Sequence, residues 1–452
     1  MVAVLLFAGP GGTVQFSDIA AKAGLRFVLE NNPTAQKYMI ETMPGGIAVL
    51  DYNGDGRPDI YFTNGARVPS LKKETAQFSN RLYRNDGDWH FTDVTEQAGV
   101  AGQGYSMGVA AGDYDNDGHP DIFVAGVNRN ILYHNRGDGT FEDVTQKAGI
   151  QSGQWAVAAG WFDYDNDGKL DLMVVRYSNT PMQDRFCGNR EKGIRVYCHP
   201  KYFEPLPATL YRNRGDGTFE DVSNKSGIAK YAGRGMSIAF ADYDGDGFMD
   251  AFVTNDSMPN FLFHNRGNGT FEEVGLMAGV ALNDRGQPVA SMGADFRDYN
   301  NDGLPDITVT ALAGETFPLF RNLGKGLFTD ATYASKMGSL STAHSGWGNG
   351  LVDFNNDGWK DLFTANSHVN DRVEAFEPHV YKEANSLLVN VGGKFSDQTP
   401  AEFKASVKAH RGAAFGDFDG DGRMDVVVSA LGEGAELWRN GTSNAGNWVA
   451  FR

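Results

Sequence analysis

Residues 113–121 read DYDNDGHPD, and the same nine-residue frame, D-x-[DN]-x-D-G-x-x-D, returns at 51–59, 163–171, 242–250, 298–306, 353–361 and 417–425. Its first, third, fifth and ninth positions are Asp51, Asn53, Asp55 and Asp59; Asp113, Asp115, Asp117 and Asp121; Asp163, Asp165, Asp167 and Asp171; and Asp242, Asp244, Asp246 and Asp250. The last three copies supply Asp298, Asn300, Asp302 and Asp306; Asp353, Asn355, Asp357 and Asp361; and Asp417, Asp419, Asp421 and Asp425. Glycine holds the sixth position every time. The copies start 62, 50, 79, 56, 55 and 64 residues apart, an interval that suits a propeller blade of four strands. Such a repeat overrides the two or three domains that 452 residues would otherwise suggest, because repeat folds grow by adding units.

The residues flanking each frame complete the blade. A small and apolar stretch such as MGVAAGDY precedes it and a β-branched run such as DIFVA follows, so two strands are joined by the Asp loop. A third element reads NRLYRN, NILYHN, ATLYRN, NFLFHN, FPLFRN, NSLLVN and AELWRN, and a fourth reads FTDVT, FEDVT, FEDVS, FEEVG, FTDAT and FSDQT. The fourth falls one copy short. Phe16-Ser17-Asp18-Ile19 has its form, so the N-terminus is expected to supply the outer strand of the blade built by residues 411–440, closing the ring and removing free sheet edges. The expected fold is therefore all-β, a seven-bladed β-propeller whose N-terminal strand closes the last blade.

Five residues before each leading Asp the side chain is small: Gly46, Gly108, Ala158, Ser237, Gly293, Gly348 and Gly412. Crowding around a central channel accounts for this and makes the first strand the innermost. Two residues further on, the same strand face carries Ala or Gly except in blade five, where Asp295 becomes a candidate channel residue.

A hard cation such as Ca²⁺ takes six to eight oxygens, and alternate side chains of a tight loop point several carboxylates at one centre. Positions one, three, five and nine would supply them, position seven would add a carbonyl, and glycine at six permits the turn. Up to seven Ca²⁺ are expected. Oxygen donors disfavour zinc and copper, and magnesium would keep more water. Asp-Gly and Asn-Gly also make plain hairpin turns, but a bare turn needs one Asp, whereas three or four carboxylates within nine residues repel one another without a counter-ion.

The net charge of −17 argues against nucleic acid, which rewards clustered Lys and Arg. Seven divalent cations would offset most of that charge. No apolar run is long enough to span a membrane as a helix. The opening MVAVLLFAGPGG resembles the end of a secretory signal peptide. In an exported chain Cys187 and Cys198 would pair across the short stretch between them, with two free thiols as the alternative.

These residues resemble FG-GAP and VCBS repeat proteins with integrin-α-like calcium loops, of the ASPIC/UnbV and cartilage-acidic-protein type. ETMPGGIAVLDYNGDG at 41–56 and the recurring LYRNRGDGTFEDV carry the resemblance, which spans residues 13–452. It implies a secreted, periplasmic or cell-surface calcium-binding propeller, with a signal-peptide remnant at 1–12, the FG-GAP/VCBS propeller at 13–445 and the start of a truncated ASPIC/UnbV-like domain at 446–452. It also implies that ligands meet the face opposite the calcium loops.

Tyr105, Trp155, Arg234, His344, Trp347, His410 and Arg411 precede inner strands and are candidates for that face, either as ligand contacts or as plugs of the channel. With Asp295 they form the candidate ligand set. His368, Asp371, Arg372 and Asp256 share the face by position, either as ligand contacts or as solvated loop polarity, and its longest loop runs over about 176–208. Two functions follow: a non-catalytic module, monomeric, binding an extracellular protein or glycan, or a lyase- or cyclase-type enzyme using Asp295, His344 or His410 on a carbohydrate or small molecule. No nucleophile motif or phosphate loop supports catalysis.

Overall fold

Every Asp frame lies in the turn between two antiparallel strands. In the second repeat these are Tyr105–Gly112 and Asp121–Val127, followed by Ile131–Asn135 and Phe141–Asp143. The computed structural model describes residues 12–443 and 445–448. The leader expected at 1–12, apart from Gly12, and residues 449–452 of the further domain expected at 446–452 lie outside the described residues.

The described residues form seven such four-stranded units in an all-β ring, with the sheets of blades two and three joined only by the pairing of Trp155 with Val127. Their first strands, which number blades one to seven, are Ile47–Leu50, Tyr105–Gly112, Trp155–Phe162, Gly235–Ala241, Ala294–Arg297, Gly346–Val352 and His410–Gly416. Each packs beside the next, and the seventh returns to the first. Phe16–Asp18 pairs antiparallel with Glu433–Asn440, Phe16 opposite Asn440 and Asp18 opposite Trp438. The chain thus closes on itself. Phe16 is buried against Phe403 and Phe354, with ring centroids 5.1 and 5.6 Å away, a burial that contributes on the order of 2 kcal/mol to the closure.

The core lies between blades. Ala48, Tyr61 and Leu82 of blade one, for example, pack with Ile122 and Val124 of blade two. A second strand such as Asp59–Phe62 or Asp121–Val127 is buried along its whole length, because both faces of the sheet meet a neighbour. That is why these strands read as continuous apolar runs without polar alternation.

The small residues before each frame line a narrow central channel of about 250 Å³. Their size answers to the neighbouring blade, which refines the expectation of crowding around the channel. A Cβ on Gly46 would stand 2.7 Å from the Met107 carbonyl, on Gly108 2.4 Å from that of Val157, on Gly293 2.1 Å from that of Trp347, and on Gly412 1.9 Å from that of Gly45. The first strands therefore touch backbone to backbone. Where they touch, their pairing slips, between Ser106 and Val109, Gly235 and Ser237, Gly346 and Asn349, and His410 and Ala413, a β-bulge that re-aims a side chain. Met107, Met236, Trp347 and Arg411 fall at these bulges and line the channel, and the Arg411 guanidinium stacks over the Trp347 ring at 4.0 Å.

An asparagine at the end of each third strand ties blade to blade. Asn85, Asn135, Asn213, Asn265, Asn322, Asn390 and Asn440 each donate from Nδ2 to the carbonyl at position two of the preceding blade's Asp loop, at 2.7–2.9 Å. Asn85 closes the circle on Phe418. All seven side chains are buried, where a lost hydrogen bond is expensive.

Candidate functional site

The loop face is built largely from the Asp side chains. The position-one carboxylate accepts from the backbone N–H of positions five and six, as Asp113 does from Asp117 at 3.0 Å and Gly118 at 2.9 Å. Position five accepts from position seven, and position nine accepts from position two and from the third-strand asparagine, as Asp121 does from Tyr114 and Asn135. Position-nine side chains are wholly buried. Burial, with the nearby loop carboxylates adding to it and the backbone N–H bonds opposing it, pushes Asp59, Asp171 and Asp306 up to about 7 and Asp121, Asp250, Asp361 and Asp425 up to about 8.

These residues fit a hard cation. In blades two, three and four the carboxylates at positions one, three and five place oxygens within 4.8 Å of one another, and Asp165 Oδ1 and Asp244 Oδ1 are buried without a hydrogen-bond partner. In these three blades turn formation uses positions one, five and nine, whereas in the other four position three also accepts from the position-five N–H. It leaves those two oxygens without a role. A bound cation would favour the charged carboxylates and reverse their upward shift. Side-chain cations also sit on the loops: Arg57 on Asp55 at 2.6 Å, Lys169 on Asp167 at 3.0 Å, Arg212 on Asp165 at 2.8 Å and Arg321 on Asp302 at 3.0 Å. None of these was named from the sequence, although an Arg stands just before the third-strand asparagine in blades one, three, five and seven.

At the opposite end of the first strands a cavity of about 620 Å³ opens over the channel and shares Met43, Met236, Met292 and Trp347 with it. Part of its roof is the long loop of blade three. Cys187 and Cys198 are bonded, with Cα atoms 5.3 Å apart, and between them a hairpin pairs Cys187–Asn189 with Ile194–Val196. The Tyr197 N–H donates to Asn370 Oδ1 at 2.9 Å and its hydroxyl to Glu41 Oε2 at 3.1 Å, fixing the loop over the centre. Phe186, Tyr202 and Phe376 add aromatic walls.

Three titratable groups in this cavity are displaced by burial. Asp256 is pushed up to about 6, against hydrogen bonds from the Tyr177 hydroxyl at 2.8 Å and Ser257 Oγ at 3.1 Å that pull it down. Glu315 is also raised, although Oε2 accepts from Ala290 N–H at 3.0 Å and Leu312 N–H at 3.2 Å. His368 is driven down to about 4, and its Nδ1 accepts from Asn370 N–H at 3.0 Å. His368 is therefore neutral at pH 7. Perturbed groups gathered in a concave site are the usual mark of a functional centre.

The expected ligand residues divide. Trp347 lines the cavity, while its indole N–H donates to the Ser367 carbonyl at 2.8 Å. Tyr105, Trp155, His410 and Arg411 are interior, which suits the plug of the two roles expected for them. Tyr105 donates to the Asn31 carbonyl, Trp155 packs on Tyr177 with centroids 4.5 Å apart, His410 lies 3.2 Å from Glu436, and Arg411 bonds the Thr42 and His410 carbonyls. They fill the space between strand starts and loops, as plugs do. Arg234 braces the roof by donating to the Phe203 carbonyl at 2.9 Å. Asp371 pairs with Lys37 at 2.6 Å.

The trio suggested for catalysis does not converge. His344 pairs with Glu383 at 3.0 Å beyond the cavity lining, and Asp295 belongs to a separate recess with Asp353 of an Asp loop. There it accepts from Leu351 N–H at 2.8 Å and meets Arg297 at 3.2 Å, so it is a strut between blades five and six. Asp256 and His368 share the cavity as their positions suggested, whereas Glu315 carried no signal beyond its place in a loop after a second strand.

The model of the FG-GAP-like repeat matches residues 51–124, 113–174, 204–253, 244–309, 298–364 and 370–428, and that of the FG-GAP repeat matches 411–447. The chain is 24% identical to cartilage acidic protein 1 of Mus musculus over 428 residues and to that of Homo sapiens over 432, in each case over 93% of its own length. It spans 62% and 60% of the length of these relatives. Among solved structures, an Agrocybe aegerita lectin that recognises non-reducing terminal N-acetylglucosamine is similar, with a TM-score of 0.47, 16% identity and 87% of each chain covered. With repeat models matching most of its length and an Asp loop in every blade, the chain belongs to the FG-GAP repeat family.

Proposed function

We propose that this chain is an exported, calcium-loaded propeller that binds a glycan in the cavity under the disulfide-tied loop. The observation that carries the reading is the cavity itself: at about 620 Å³ it has the size and concavity of a site for a compact ligand, and a flat protein-binding face would have neither. Aromatic side chains beside a few polar groups suit the alternating apolar and hydroxyl faces of a sugar. Calcium at the Asp loops would hold the blades in register from the other end, and the disulfide supports export.

A glycan array probed with the full chain in calcium tests this. Retention of a defined glycan class is expected, weakened at least tenfold by Tyr202→Ala, which alters a half-buried wall residue. No retention across the array, or retention indifferent to Tyr202, overturns it.

That Asp256, Glu315 and His368 line one cavity favours a second reading, general acid–base chemistry on the bound sugar. A carboxyl group held near pH 6 can both donate and accept a proton close to neutrality. Mass spectrometry of glycan incubated with the protein checks for cleavage, which Asp256→Asn should abolish while binding persists.

A further inference from the structure

One residue of the third strand differs among the blades in a way that changes the donor set of the loops. Just before the inter-blade asparagine stand Arg84, Arg212, Arg321 and Arg439 in blades one, three, five and seven, and Val389 in blade six. Three of these arginines reach the loop of their own blade: Arg212 to Asp165 at 2.8 Å, Arg321 to Asp302 at 3.0 Å and Arg439 to Asp419 at 3.3 Å. Blades two and four carry His134 and His264 instead. We propose that these two blades bind a borderline divalent cation of the zinc class through an Asp-Asp-His set, while the other loops take calcium. The inference rests on the reading that the Asp loops are cation sites and adds the metal's identity.

The geometry is the same in both blades. His134 Nδ1 lies 3.3 Å from Asp115 Oδ2 and 3.3 Å from Asp121 Oδ1, and His264 Nδ1 lies 3.4 Å from Asp244 Oδ2 and 3.4 Å from Asp250 Oδ1. Both Nδ1 atoms are buried and without a hydrogen-bond partner. Charge-assisted hydrogen bonds close to ~2.7–2.9 Å, so these contacts are too long for tight ones. Two ligand atoms that share a tetrahedral zinc at ~2.1 Å each lie ~3.4 Å apart, which matches. Position three and position nine thus face the imidazole from two sides, and the position-nine carboxylates are wholly buried, where an uncompensated charge is costly. Imidazole suits zinc, copper or nickel and adds little for calcium, which prefers oxygen throughout.

The test uses the full chain, stripped of metal, loaded with zinc in excess calcium, desalted and assayed for both metals. Two zinc ions are expected to remain. His134→Arg and His264→Arg, which copy the residue of blade three and so keep the fold, should each remove one, and together both, with calcium uptake by the other loops preserved. Cobalt in place of zinc should give a visible d–d absorption band that the double variant lacks. If calcium binds and no zinc is retained, the histidines are simple ion-pair partners and the inference falls while the calcium reading stands. If zinc retention is unchanged in the double variant, the zinc is bound elsewhere and the inference also falls. If neither metal binds, the cation reading of the loops fails and takes the inference with it.

Discussion

Asn213→Ala isolates the bond that joins one blade to the next. Asn213 Nδ2 donates to the Tyr114 carbonyl of blade two at 2.7 Å and to the Leu170 carbonyl at 3.0 Å, while Oδ1 accepts from Gly215 N–H at 2.8 Å. Alanine leaves three backbone groups without partners, one of them buried and two part-buried. At about 1–1.5 kcal/mol for each, the loss is about 3–5 kcal/mol. Asn390 supplies an internal control, because its Nδ2 makes the equivalent bonds to the Tyr299 and Lys360 carbonyls while its Oδ1 is unpaired. Asn390→Ala should therefore cost about 2–3 kcal/mol, two bonds in place of three. Urea unfolding followed by circular dichroism at fixed calcium reads both, with unchanged slopes and lower midpoints expected. An Asn213→Ala loss below about 1 kcal/mol, or a larger loss for Asn390→Ala, would refute the view that these asparagines hold the blades together.

Three further outcomes are expected. Chelation with EGTA should lower the melting temperature, because a site at a hundredfold excess of calcium over its Kd stabilises by about 2.7 kcal/mol, and Asp165→Ala or Asp419→Ala, in loops without a histidine, should each remove one calcium site by calorimetry. Glu436 should contribute to an acid transition: burial alone would raise its pKa, but His410 at 3.2 Å, Lys408 at 3.0 Å and the Ser406 hydroxyl lower it to about 2. Since the folded-state pKa is depressed, the stabilisation is present above the ordinary value of 4.5 and is lost as pH falls from there towards 2; Glu436→Gln should be less stable at pH 7 and flatter over that window in urea titrations. Reduction, or Cys187→Ser with Cys198→Ser, should weaken glycan retention while the melt of the ring changes little, because the hairpin between these residues packs on the propeller from outside its blades; equal losses of binding and of global stability would contradict a local role.

The sequence alone determined the ring. Seven Asp frames, the strands around them and the count of six outer strands plus Phe16-Ser17-Asp18 are local patterns, and local patterns suffice when a fold is one supersecondary unit repeated. The small residue before each frame was legible as a position where strands crowd, since glycine there is a local choice. The cysteine pair, left open between a disulfide and free thiols, proved to be bonded. What the tertiary structure decided are contacts between residues remote in the sequence, most of them from different repeats. Asn213 meets Tyr114, Glu315 meets the backbone of Ala290, and Tyr197 meets Glu41 and Asn370, pairings far apart along the chain that no spacing rule encodes. Solvent exposure was equally hidden: His410 and Arg411 stand at the start of a strand like the other face candidates, yet they are interior, because Asn366, Glu383 and Glu436 enclose His410 and Thr42, Ser367 and His368 enclose Arg411. The side chains nearest the loops, His134 and His264, were visible as letters but not as ligands, since only strand pairing sets an imidazole 13 residues after Asp121 beside that carboxylate.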